Sequence, residues 1–106
     1  MPKFLFQASY TLEGAKGVQS AGGTSRRDAL ARAAASVGGN LESFYFALGE
    51  TDSYLVCDLP DNESATALGL TFNADGKATV NTVVLLSPEE VDAASEREVD
   101  YPPPGN

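Results

Sequence analysis

The chain has 106 residues, 42% of them hydrophobic and 21% charged, the balance of one globular domain rather than of a disordered or membrane-spanning segment. Fifteen acidic against 7 basic residues give a net charge of −8 at pH 7, which repels phosphate backbones and anionic headgroups and argues against nucleic-acid and membrane partners. Histidine is absent, which removes the commonest general base, the usual haem ligand and most transition-metal sites, so neither a metal centre nor a cofactor is expected.

The first strand is expected over Lys3–Tyr10, where Phe4, Phe6, Ala8 and Tyr10 fall on one face and Lys3, Leu5, Gln7 and Ser9 on the other. Met1–Phe6 runs into polar Gln7 and Ser9 rather than forming a secretion signal, and no apolar run reaches the roughly 18 residues that span a bilayer, so the expected compartment is the cytoplasm. Lone Cys57 has no partner for an internal disulfide, which agrees with a reducing environment. Residues 14–23 hold Gly14, Gly17, Gly22 and Gly23, a composition that predicts a short helical turn at most.

A helix is predicted over Arg26–Val37, with Ser25 as its cap, Asp28 in its first turn and Gly38-Gly39 as its stop. Its apolar stripe, Ala29, Leu30, Ala33, Ala34 and Val37, is made mostly of small residues that can pack close to a sheet. Leu41–Leu48 and Ser53–Leu59 then read as a hairpin turned by Gly49-Glu50-Thr51-Asp52. Both strands are apolar on both faces. Phe44, Phe46 and Leu48 oppose Leu41, Tyr45 and Ala47 in the first, and Leu55, Cys57 and Leu59 oppose Tyr54 and Val56 in the second, so something must cover the second face.

Asp61 caps the next predicted helix, whose Ala65, Leu68, Gly69 and Phe72 recur at helical spacing before Asn73-Ala74-Asp75-Gly76 ends it. Ala78–Leu86 is the last strand. Ser87-Pro88-Glu89-Glu90 starts a short terminal helix to about Glu96, with Ser87 and Glu90 forming a capping box. The tail Tyr101–Asn106, rich in proline, should lie extended over a surface of its own chain or of a partner. The domain is thus residues 1–98, followed by an extended tail over 99–106.

This order predicts an α+β, ferredoxin-like βαββαβ fold: a four-stranded antiparallel sheet with two main helices on one face, plus the C-terminal helix and tail. The opposite face would expose Leu5, Tyr45, Tyr54 and Val56, a patch that marks an interface, and a homodimer or higher homo-oligomer is the simplest cover. Charge is unevenly spread, residues 1–40 carrying a net +3 and the remainder −11; the commoner reading of such asymmetry is solvated charged faces, the other that the basic part of one copy meets the acidic part of another.

The chain also resembles the GYD-domain family along essentially its whole length. The resemblance rests on Lys3-Phe4-Leu5-Phe6-Gln7-Ala8-Ser9-Tyr10, Gly22-Gly23-Thr24-Ser25-Arg26-Arg27, Phe44-Tyr45-Phe46-Ala47-Leu48-Gly49 with Asp52, Leu59-Pro60-Asp61, Leu85 to Asp92, and Tyr101-Pro102-Pro103-Pro104-Gly105. It implies a dimeric α+β barrel, two sheets packed face to face, with no established activity. The chain departs from the family's name-giving pattern in Gly49-Glu50-Thr51-Asp52, where threonine stands in place of the expected tyrosine. The wider superfamily includes cofactor-free oxygenases, isomerases and ligand-sensing domains, so fold alone does not select a function.

Two candidate ligand sites follow from the residues. At the first, Gly22 to Ser25 present backbone N–H groups at a helix start followed by Arg26 and Arg27, suited to a carboxylate or phosphate; the simpler reading is that Ser25 caps the helix and the arginines pair with carboxylates. At the second, inside the barrel, Gln7, Ser9, Tyr45, Tyr54 and Asn81 or Thr82 offer polar groups to a small aromatic or oxidisable molecule, or else supply area to a packed interface. Cys57 reads as core, Asp52 and Asp58 as turn and strand-end residues, and Glu89, Glu90 and Asp92 as helix-start carboxylates without calcium-loop spacing. The functional expectation is an oligomeric module with a possible small-molecule ligand; the alternative is a cofactor-free oxygenase or isomerase acting on a small aromatic or lactone-like substrate.

Overall fold

Alternating burial along the first strand already separates a core face from an open face, and the rest of the chain is arranged around that division. The computed structural model describes residues 1–105. Its elements run β1 (Lys3–Tyr10), α1 (Leu12–Ala21), α2 (Gly23–Ser36), β2 (Asn40–Phe46), β3 (Ser53–Asp58), α3 (Asn62–Asp75), β4 (Ala78–Leu85) and α4 (Pro88–Ser95). The strands form one antiparallel sheet in the order β2-β3-β1-β4, the ferredoxin-like arrangement, with β1 in the middle. Phe4, Phe6 and Ala8 of β1 join Leu55, Cys57 and Val80 of the neighbouring strands beneath Leu30 and Ala34 of α2 and Ala65 and Leu68 of α3. Both main helices therefore lie on one face.

The glycine-rich stretch after β1 is a full helix, contrary to the expectation of a brief turn. Thr11 caps α1, its hydroxyl accepting the Gly14 N–H at 3.2 Å, while Thr11 also donates its own N–H to the Lys77 carbonyl at 3.0 Å. Packing on β1 and α2 supplies the order that helix propensity does not. At Gly14 a Cβ would sit 1.9 Å from the Lys77 carbonyl oxygen, so this close approach is open only to glycine.

Three further differences from the sequence reading have local causes. Helix α2 begins at Gly23, not Arg26, and Ser25 does not cap it: Gly22 alone separates the two helices, at φ 91°, ending α1 with its N–H on the Val18 carbonyl and starting α2 with no side-chain cap. A bulge at Leu41–Ser43 moves Leu41 to the core side with Phe44 and leaves Ser43 opposite Val56. Finally, Thr82 lies on the helix side of the sheet, exposed beside α3 with its hydroxyl 3.1 Å from the place of a Cβ on Gly69, whereas its neighbour Asn81 faces the other way.

The helix starts read from Asp61 and Ser87 are as expected: Asp61 Oδ1 accepts the Ser64 N–H at 2.8 Å, and Ser87 and Glu90 form the reciprocal capping box. Gly76 ends α3 in the left-handed region at φ 78°. The carboxamide of Asn73 then holds the outer edge of β4, donating to the Val80 carbonyl at 3.1 Å and accepting its N–H at 2.8 Å, which blunts an edge that would otherwise be open to pairing. Residues 88–105 are exposed throughout, with Val99 at 79% and Tyr101 at 66%, so α4 and the described part of the tail do not lie over their own domain. The last tail residue, Asn106, lies outside the described residues.

Candidate functional site

Strand register decides which of the sequence-derived site residues meet. Tyr45 pairs with Tyr54, Tyr54 with Gln7 and Gln7 with Asn81, so these four side chains form one straight row across all four strands. Strand alternation places that row on the face away from the helices. The adjacent row is Ser43, Val56, Leu5 and Val83. Tyr45 is 70% exposed and Val83 39%, while Leu5, Gln7 and Val56 are half-buried by their neighbours.

One end of this open face is closed by charge. Lys3 Nζ donates to Glu42 Oε1 at 2.6 Å and to Asp58 Oδ1 at 2.7 Å, and Asn40 donates to the other Asp58 oxygen at 3.3 Å. The Lys3 hydrogen bond, followed by that of Asn40, holds the Asp58 carboxyl below the usual carboxylate range, and the same partners, Asp58 first, raise Lys3. At the other end Ser9 donates to the Glu50 carbonyl at 3.0 Å, and Asp52 Oδ2 accepts the Tyr10 N–H at 2.7 Å while the Asp52 N–H is donated to the Ala8 carbonyl at 2.8 Å. Asp52 thereby ties the hairpin loop to the end of β1, a structural task.

Ser25, Arg26 and Arg27 lie on the opposite side of the sheet from the tyrosine row, so the sequence-derived site residues form two separate groups. Arg27 turns outward and meets only Asp28, at 3.4 Å with both side chains more than half exposed. Arg26 is half-buried and, with Ser25, borders a cavity of about 440 Å³ between α1, α2, α3 and the sheet. Sequence reasoning missed this cavity. Its signal is the run of Gly14, Gly17, Val18 and Ala21 on α1, side chains too short to reach the sheet, but it is readable only once α1 is known to be a helix.

Cys57 is buried in the core, and burial pushes its thiol up to about 11, so no thiolate is presented near neutral pH. Among the described residues no three carboxylate, thiol or imidazole groups come together as a metal-ion cluster, and no helix is long and apolar enough to cross a membrane.

Comparison with protein families matches residues 4–95 to the GYD domain. The chain belongs to the GYD-domain family. The match spans every strand and helix, including the exposed α4, and stops before the proline-rich tail. Comparison with curated proteins and with solved structures returned no match. In this GYD domain the segment Gly49–Asp52 turns the β2–β3 hairpin, with Gly49 and Glu50 exposed and Thr51 and Asp52 half-buried; Thr51 stands there without an aromatic ring, and Asp52 is the residue the loop uses to grip β1.

Proposed function

We propose that this GYD domain is a self-associating module in which two copies pack the open faces of their sheets together. The observation that supports it is the apolar open face itself: Leu5, Val56, Val83 and the rings of Tyr45 and Tyr54 lie together, while charge gathers at one end around Lys3. Antiparallel sheets that face water on one side alternate apolar with polar residues, whereas here Tyr54 and Val56 of β3 and Val83 of β4 put apolar groups on the open side. An apolar centre with a polar rim is the anatomy of a protein interface, and a four-stranded face is commensurate with the roughly 800 Å² per partner that specific complexes bury.

Apposed faces would bring two Tyr45–Tyr54–Gln7–Asn81 rows toward one another and enclose phenol and carboxamide groups between apolar walls, a setting for a small organic ligand. The cofactor-free enzyme alternative uses the same row and makes a separable prediction, since Tyr45→Phe and Tyr54→Phe would then abolish turnover while leaving assembly intact. Sedimentation velocity at micromolar concentration tests the module reading. It expects a dimer or a multiple of dimers for the wild type and a folded monomer for Val56→Glu; a wild-type monomer, or a Val56→Glu variant that assembles unchanged, would refute it.

A further inference from the structure

The cavity on the helix side of the sheet has the features of a second, independent ligand site, and nothing in the self-association of the open face depends on it. Its volume, about 440 Å³, falls in the range of small-molecule pockets. The space is a cleft open to solvent along exposed residues such as Gly17, Ser25 and Thr71, and helices packed on a sheet leave such a gap where the sequence withholds side chains. Glycine does so here at Gly17: a Cβ there would meet nothing within 4 Å, so unlike Gly14 it is not demanded by a close contact.

The polar lining combines the hydroxyls of Tyr10, Ser25, Ser53 and Thr71 with charged side chains. Ser53 is fully buried in its floor, and the Tyr10 hydroxyl donates to Ser53 Oγ at 3.1 Å, with the Tyr10 ring held against Phe46 at a centroid distance of 6.5 Å. Arg26 and Lys77 border the space, and neither has an ion-pair partner among the described residues, although the chain carries 15 carboxylate side chains. Asp75 also borders it, which leaves the rim with one excess positive charge. The rest of the wall is largely apolar and includes Leu30, Leu55, Phe72 and Val80.

We propose that this cavity binds a small, largely apolar monocarboxylate, its hydrocarbon body between α2, α3 and the sheet and its carboxylate at Arg26 and Lys77. One excess charge suits a monoanion better than a phosphate dianion. The apolar wall excludes a fully hydrated anion, and charge-assisted hydrogen bonds from the two cations select the acid over its neutral analogue. The Tyr10–Ser53 hydroxyl pair accepts or donates to any single polar substituent on the body of the ligand.

The test is an amide NMR titration of the full chain with 2-naphthoate and with octanoate, an aromatic and a linear carboxylate, and with 2-naphthylmethanol as the uncharged control. Saturable shifts are expected at Gly17, Val18, Arg26, Ser53 and Lys77, with the alcohol at least about tenfold weaker than the acid. Replacing both Arg26→Gln and Lys77→Gln should weaken the acids by a similar factor and leave the alcohol unchanged. Gly17→Phe, placed where a side chain has room, should abolish binding while circular dichroism and urea unfolding show an intact fold. Shifts confined to Gln7, Tyr54 and Asn81 of the open face, saturation by neither acid, or acid binding indifferent to the double charge replacement would each overturn the proposal.

Discussion

Alanine placed at Gly14 and at Gly17, one turn apart in α1, should change stability in opposite directions. Helix propensity alone favours alanine over glycine by about 0.8–1.0 kcal/mol at either position. At Gly17 the new methyl group meets nothing within 4 Å, so the gain is realised and the variant is stabilised by about 1 kcal/mol. At Gly14 the methyl carbon would lie 1.9 Å from the Lys77 carbonyl oxygen and 2.9 Å from its carbon, so α1 and the turn before β4 must part by more than an ångström. That carbonyl accepts from the Thr11 N–H at 3.0 Å and the Thr11 hydroxyl at 3.1 Å, and the same hydroxyl caps Gly14 at 3.2 Å. Losing two or three such bonds at about 1 kcal/mol each, with the overpacking strain, exceeds the propensity gain and leaves Gly14→Ala destabilised by about 1–3 kcal/mol. Urea unfolding followed by circular dichroism at one protein concentration should separate the two midpoints by about 1–3 M. Equal midpoints would refute the contact argument and with it the assignment of residues 12–21 to a packed helix.

Asn73→Ala should lower stability by about 1–3 kcal/mol in the same assay, because the Val80 N–H and carbonyl at the β4 edge lose both partners; Asn73→Asp should recover only part of the loss, keeping the acceptor but not the donor. Cys57 should resist alkylation at pH 8 until the chain is unfolded. Its folded pKa of about 11 lies above the ordinary thiol value of 9.0, so its contribution to stability is complete below the unfolded value and is lost as pH rises from there through the folded one. Stability measured against pH should therefore fall more steeply between these limits in the wild type than in Cys57→Ala, by an amount on the order of 2 kcal/mol. Carboxyl NMR titration should find Asp58 and Asp61 below the ordinary range, stabilising the fold above their unfolded values and losing that effect as pH falls through the folded ones. Lys3→Met should return Asp58 toward the ordinary value and leave Asp61, whose depression comes first from the Ser64 hydroxyl and then from its N–H, unchanged.

The elements legible in the sequence are those whose signals are local. Two-residue alternation placed β1, the Asp61 cap placed the start of α3, the reciprocal Ser87–Glu90 box placed that of α4, and hairpin spacing placed β2 and β3. Helix α1 was hidden because its stabilisation is tertiary: glycine composition argues against a helix, and only the contact of Gly14 with the Lys77 carbonyl, far along the chain, explains why glycine is required. Ser25 looked like a cap because serine before a charged first turn usually is one, but Gly22 had already started α2. The bulge beside Leu41 was invisible for a related reason, since one extra residue shifts the alternation only when the partner strand fixes the register.

The candidate surfaces divide in the same way. Gln7, Tyr45, Tyr54 and Asn81 could be grouped from strand alternation alone, and the register adds that they form a single row. Arg26 and Arg27 are adjacent in sequence yet part company at the start of α2, one bordering the cavity and the other facing solvent with Asp28. A helix surface separates neighbours in this way, and only knowing where α2 begins tells which arginine turns inward.

The open sheet face is the proposed meeting place of two copies. Isotope-filtered NOE spectroscopy on a mixture of carbon-13-labelled and unlabelled protein addresses it most directly, because it reads contacts between copies and no others. Intermolecular NOEs are expected among the methyl groups of Leu5, Val56 and Val83 and the rings of Tyr45 and Tyr54. A monomeric sample without such NOEs, or intermolecular contacts confined to Leu12 and Leu70 on the helix side or to Val91 and Val99 beyond the sheet, would contradict it.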